Sequence, residues 1–68
     1  MRFHVYLMLC RPDHTWEMVD FYIPDHETPE QPYFHSEIAA AAEAAWIWDH
    51  PDDRLAYTYL HSYTYQED

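Results

Sequence analysis

From Phe3 to Leu9 every second residue is a large apolar one, and His4, Tyr6 and Met8 stand between them. That period of two places Phe3, Val5, Leu7 and Leu9 on one side of a strand over residues 2 to 10, with His4, Tyr6, Met8 and Cys10 on the other. Such a strand needs partners on its edges and a cover over its apolar side. The rest of the chain supplies both. Arg11-Pro12-Asp13-His14-Thr15 suits a turn, since Pro presets φ and Asp accepts local backbone hydrogen bonds. A second strand over roughly Thr15 to Ile23 puts Val19, Phe21 and Ile23 on one side and Trp16, Met18, Asp20 and Tyr22 on the other, completing a hairpin.

The segment from Pro24 to Pro32, PDHETPEQP, has three prolines among acids and reads as an extended, exposed loop, because Pro breaks both a helix interior and a central strand. After it, Ser36 is expected to cap a helix, with Glu37 favoured in the first turn by the macrodipole. The run Ile38 to Ala45 has high helix propensity. The helix should stop near Asp49, because Pro51 pushes His50 out of the α region. Ile38, Ala41, Ala42, Ala45 and Trp48 recur at helical spacing, so one small apolar face can lie close against a sheet. Pro51 to Arg54 is a turn. Leu55 to Tyr65 is a third strand in which Tyr57, Tyr59, His61, Tyr63 and Tyr65 alternate with Ala56, Thr58, Leu60, Ser62 and Thr64.

A helix crossing back from the second strand places the third beside the first, antiparallel to it, in the order two, one, three. The expected fold is α+β: ββαβ, a three-stranded antiparallel sheet with one Ala-rich helix on one face, in a single domain over residues 1 to 68. Ala56, Thr58 and Leu60 should join the apolar sets of the first two strands under the helix. The other side is left open, with His4, Tyr6, Met8, Trp16, Met18, Asp20, Tyr22, Tyr57, Tyr59, His61 and Tyr63. Aromatic residues and Met are enriched at interface centres, because they bury much area with little rotamer entropy. A tyrosine ladder is also plain cross-strand stabilisation, but two Met and a Trp beside it make an apolar patch that monomers rarely leave bare. Homodimerisation through this face fits the same pattern.

Charge adds a second constraint. Thirteen Asp and Glu stand against three Arg and no Lys, for a formal net charge of −10. Such a surface repels nucleic acid and anionic membrane and favours a basic partner by long-range steering. Aromatic sheets that stack single-stranded RNA need basic residues, which are missing here. The candidate carboxylates are Asp13, Glu17 and Asp20 on the hairpin, Asp25, Glu27 and Glu30 in the loop, and Asp49, Asp52 and Asp53 after the helix. The content of aromatic residues, 19%, argues against disorder.

Catalysis and cofactors are not expected. The six histidines match no metal-binding spacing, although His4 and His61 can be cross-strand neighbours. The single Cys10 excludes an internal disulfide and suits a reducing cytoplasm; it reads as a small buried residue, since a reactive thiol needs an electropositive setting. Without Gly the chain has little means of shaping a phosphate loop or deep pocket. The N-terminal segment reads as a strand rather than a signal peptide, and no stretch approaches the ~18 apolar residues of a membrane span. Protonating six histidines brings the formal charge from −10 to −4, so a charge-driven partner should bind more weakly near pH 5.

In size, charge and element order, a hairpin, an acidic loop, an alanine-rich helix and a last strand in a lysine-free chain, the sequence resembles the small acidic inhibitors of phages and other mobile elements, the anti-CRISPR and anti-restriction proteins. The resemblance implies a non-catalytic protein of the host cell cytoplasm. It also implies a partner of a particular kind: the basic nucleic-acid channel or protein surface of a host defence complex, with carboxylates standing where phosphates go.

Overall fold

A computed structural model describes residues 2–24 and 34–66. The chain order is β1 (Arg2–Cys10), β2 (Trp16–Tyr22), α1 (His35–Asp49) and β3 (Tyr57–Gln66). The strands form one antiparallel sheet in the order β2-β1-β3. This is the expected ββαβ arrangement, and the central strand is the one whose alternation is strictest. Phe3, Val5, Leu7 and Leu9 are all buried, and with Ile23, Ile38, Ala42 and Leu60 they form the core between sheet and helix.

The hairpin closes through a three-residue loop. Arg11 N–H donates to the Thr15 carbonyl at 3.0 Å and His14 N–H to the Arg11 carbonyl at 2.9 Å. Pro12 and Asp13 occupy the centre of the turn, and His14 follows with φ of 69°. A left-handed residue after such a turn gives its twist the hand of the strands, and it is ordinarily Gly. This chain has no Gly. Histidine is among the side chains that tolerate the left-handed region best after Gly, and it takes the position here.

The helix begins one residue before the expected cap. Phe34, extended at φ −100° and ψ 145°, is the N-cap and supplies no side-chain hydrogen bond, while its carbonyl accepts from Glu37 and Ile38 N–H at 3.0 and 3.1 Å. Ser36 therefore lies inside the first turn. At the other end His50 leaves the helix with φ −131° and ψ 62°, and its N–H returns to the Trp46 carbonyl. The packed face is Ile38, Ala42 and Ala45, with Ala41 half-buried. Trp48, expected on that face, is 78% exposed, and Trp46 is the tryptophan that packs against the core. Two further expectations fail near β3. Ala56 is exposed outside the strand, held by its N–H to the Cys10 carbonyl at 2.7 Å, and the strand starts at Tyr57 rather than Leu55.

The largest departure lies inside β3. Pairing with β1 runs from Cys10 opposite Tyr57 to Leu7 opposite Leu60, then skips to Tyr6 opposite Ser62, leaving His61 as an extra residue. A bulge of this kind inverts the alternation beyond it. Residues directly opposite share a face, so Thr58 and Leu60 lie under the helix as expected, but so do Tyr63 (opposite Val5) and Tyr65 (opposite Phe3). Their rings confirm it: Phe3 meets Tyr63 at 5.9 Å and Tyr65 at 5.1 Å between centroids. Tyr63 therefore does not belong to the open face.

Candidate functional site

The open face is built in rows that the two registers fix. Trp16, Cys10 and Tyr57 form the first row, Met18, Met8 and Tyr59 the second, Asp20, Tyr6 and Ser62 the third, and Tyr22, His4 and Thr64 the fourth. His61 keeps to this side as well, because its Nδ1 lies 3.1 Å from the Ser62 hydroxyl. Eight of the nine expected aromatic, Met and acidic face residues, Tyr6, Met8, Trp16, Met18, Asp20, Tyr22, Tyr57 and Tyr59, are thus together, and the bulge removes only Tyr63.

The first two rows are apolar and open. Trp16 is 48%, Met18 44%, Tyr57 56% and Tyr59 60% exposed. Trp16 and Tyr57 come from opposite edge strands, yet their rings meet at 5.2 Å and 77°. They can do so only by leaning over the central strand, whose Cys10 lies between them and is 1% exposed. Desolvation and the neighbouring Cys10 thiol hold the Tyr57 hydroxyl above its ordinary pKa, the thiol interaction being the larger cause.

The other rows are a polar aromatic stack. The His4 ring lies 4.7 Å from both Tyr6 and Tyr22, its Nε2 donates to Asp20 Oδ2 at 3.0 Å, and the Arg2 guanidinium sits 4.1 Å over the Tyr22 ring. Arg2 and Cys10 were not among the expected open-face residues, although they share the parity of His4, Tyr6 and Met8, which is the signal that marks them. A cation of the same chain thus covers one tyrosine of this face.

Five of the candidate carboxylates lie in segments that meet at one end of the sheet. Asp13, Glu17, Asp49, Asp52 and Asp53 gather at the end of the molecule where β1 finishes, since the hairpin turn, the end of α1 and the α1–β3 connection meet there. Arg11 ties these segments together. Its Nε and Nη2 donate to the two oxygens of Asp53 at 3.0 and 2.9 Å, and its Nη1 lies 2.8 Å from Glu17 Oε1. The Trp46 indole N–H adds a bond to Asp53 at 3.3 Å, and the Trp46 ring stacks on His50 at 3.7 Å. The Asp53 carboxyl is held below its usual range, chiefly by Arg11 and further by Trp46, against an opposing effect of desolvation. Asp13 is lowered by the Thr15 hydroxyl at 2.7 Å and the Thr15 N–H at 3.1 Å. Asp13, Glu17 and Asp53 are therefore engaged within the fold, and Asp49 and Asp52 are exposed beside them. Asp20 lies apart, on the open face, and Asp25, Glu27 and Glu30 lie outside the described residues.

Among the described residues no group of three His, Cys, Asp or Glu side chains is placed to hold a metal ion, and no helix is long and apolar enough to cross a membrane. Compared with known proteins, the chain matches no family model, no curated protein and no solved structure.

Proposed function

We propose that this chain is a non-catalytic binding protein that docks the basic surface of a nucleic-acid-handling protein, in the manner of a small acidic inhibitor of a CRISPR or restriction complex. The observation that carries this reading is the pair of exposed rows that holds Trp16, Met18, Tyr57 and Tyr59, at the end of the sheet where the segments carrying Asp13, Asp49 and Asp52 meet. Large amphipathic rings make a contact area at low entropic cost, and carboxylates around an apolar centre steer and orient a cationic partner.

The placement of Asp49 supports a use for the charge. It is the last residue of α1, where the helix macrodipole disfavours an anion, and no basic residue stands in that last turn. A carboxylate kept at a position that weakens the helix suits contact with a partner better than stability of the chain itself. Glu17 and Asp53 are bound to Arg11, Asp13 to Thr15 and Asp20 to His4, so the anionic contacts with a partner fall first to the exposed Asp49 and Asp52.

The test is capture of the partner from the source cell, read at low and high salt with Tyr59→Ser and Asp52→Lys variants. Binding should weaken steeply with salt and drop by about tenfold or more in each variant. Binding indifferent to salt and to both substitutions would overturn the reading.

A further inference from the structure

The two edges of the sheet are protected very differently. β2 carries Glu17 and Asp20. β3 runs ten residues, YTYLHSYTYQ, with neither a charged side chain nor a proline, in a chain whose residues are 24% charged. Natural sheets blunt their edges with charges, prolines or bulges, because an open row of N–H and C=O groups recruits another strand. The bulge at His61 is the only such device in β3. Among the described residues, the backbone of residues 57–64 pairs with β1 alone.

We propose that the β3 edge takes the β3 edge of a second copy of this chain, antiparallel about a two-fold axis, making one six-stranded sheet. Charge places a like partner at this edge rather than elsewhere on the surface. Each copy carries a formal −10, so any contact between two copies is least opposed where neither brings a charge, and residues 57–66 bring none. A basic foreign strand would instead gain from the acids of β2. The helix side of the edge also fits: Thr58 Oγ1 donates to Glu43 Oε2 at 2.9 Å, which places that face of α1 above β3. Ile47, one turn further along the same face, is 46% exposed. Two-fold pairing sets the two open faces edge to edge, with Tyr57 and Tyr59 of each copy toward the Thr64 end of the other.

Sedimentation of the purified full chain tests this, with substitutions at exposed Ser62, next to the centre of the strand. Because like charges repel across a two-fold axis, Ser62→Glu and Ser62→Lys should each weaken self-association by about tenfold or more, and an equimolar mixture of the two should restore it. Wild-type association should tighten as salt screens the net charge, opposite to the salt response of the proposed basic partner, so the two readings fail separately. Amide exchange supplies a check free of substitutions: protection in residues 57–64 should rise with protein concentration. A monomer at every salt concentration, or a dimer untouched by both Ser62 variants, overturns the proposal.

Discussion

Trp16 and Tyr57 belong to strands that do not pair, and their rings meet edge to face at 5.2 Å above Cys10. The contact joins the two edges of the sheet over its centre and seals the only thiol in the chain. Thiol reactivity needs access to the sulfur as well as thiolate. The folded wild type should therefore react with a thiol reagent only slowly. Trp16→Ala or Tyr57→Ala should speed the reaction by about tenfold or more, because the lid rather than global opening limits access. Alkylation rates of the folded variants measure this, and equal rates would show that Cys10 is protected by something other than the two rings.

Arg11 holds three parts of the chain through Asp53 and Glu17, and it does so with carboxylates whose protonation dismantles the contact. Asp53 and Asp13 have folded pKa values below their ordinary value of 3.8, so their stabilisation is complete above that value and is lost as pH falls through the depressed one. Acid also lowers the net negative charge of the whole chain, which relieves self-repulsion and opposes the loss. The difference between wild type and Asp53→Asn separates the two effects. Asp53→Asn should be less stable at neutral pH, and the gap should narrow from about pH 5 to about pH 2. Denaturant titrations at several pH values check it; a gap independent of pH would remove Asp53 from the account.

His14 is the residue with positive φ in the described hairpin, at 69°. The left-handed region costs an ordinary L-residue about 1–2 kcal/mol, and Gly returns part of that gain as entropy in the unfolded chain, about 0.5–1 kcal/mol. His14→Gly should thus stabilise the protein by about 0.5 kcal/mol. His14→Val should destabilise it, because branching at Cβ crowds this conformation. Chemical denaturation resolves both signs.

The fold was legible because its strongest pattern sits on the strand with two neighbours. Phe3, Val5, Leu7 and Leu9 are buried without exception, and parity alone identified most of the open face. What the sequence hid was local and came from the same cause each time, a competition that periodicity does not see. In YTYLHSYTYQ every residue from Tyr57 to Tyr65 fits an uninterrupted alternation, and nothing in it marks His61 as the bulge. Trp46 and Trp48 offered two ways to finish the helix face. Asp53 decided between them, because it gives the Trp46 indole a hydrogen-bond acceptor. Ser36 is a better capping residue than Phe34, yet the chain enters the helix at the aromatic. The acids at the end of β1 could not be seen to converge until the register and the Arg11 contacts placed the hairpin turn beside the α1–β3 connection.

The bulge also separates tyrosines that look alike in sequence, and that separation is measurable. Tyr63 packs on Phe3 and touches the His35 ring at 6.2 Å beneath the helix, whereas Tyr59 is 60% exposed beside Met8 on the open face. Truncating a half-buried aromatic leaves a cavity against the core, so Tyr63→Ala should cost about 2 kcal/mol of stability. Tyr59→Ala removes surface contact and should change stability by no more than about 0.5 kcal/mol. Their effects on partner binding should run the other way: weakened in Tyr59→Ala, and unchanged in Tyr63→Ala under conditions where that variant is still folded. Had alternation continued through His61, both tyrosines would face the partner and both substitutions would impair binding. Equal losses of stability at the two positions, or binding that depends on Tyr63 and not on Tyr59, would place the bulge or the docking face elsewhere.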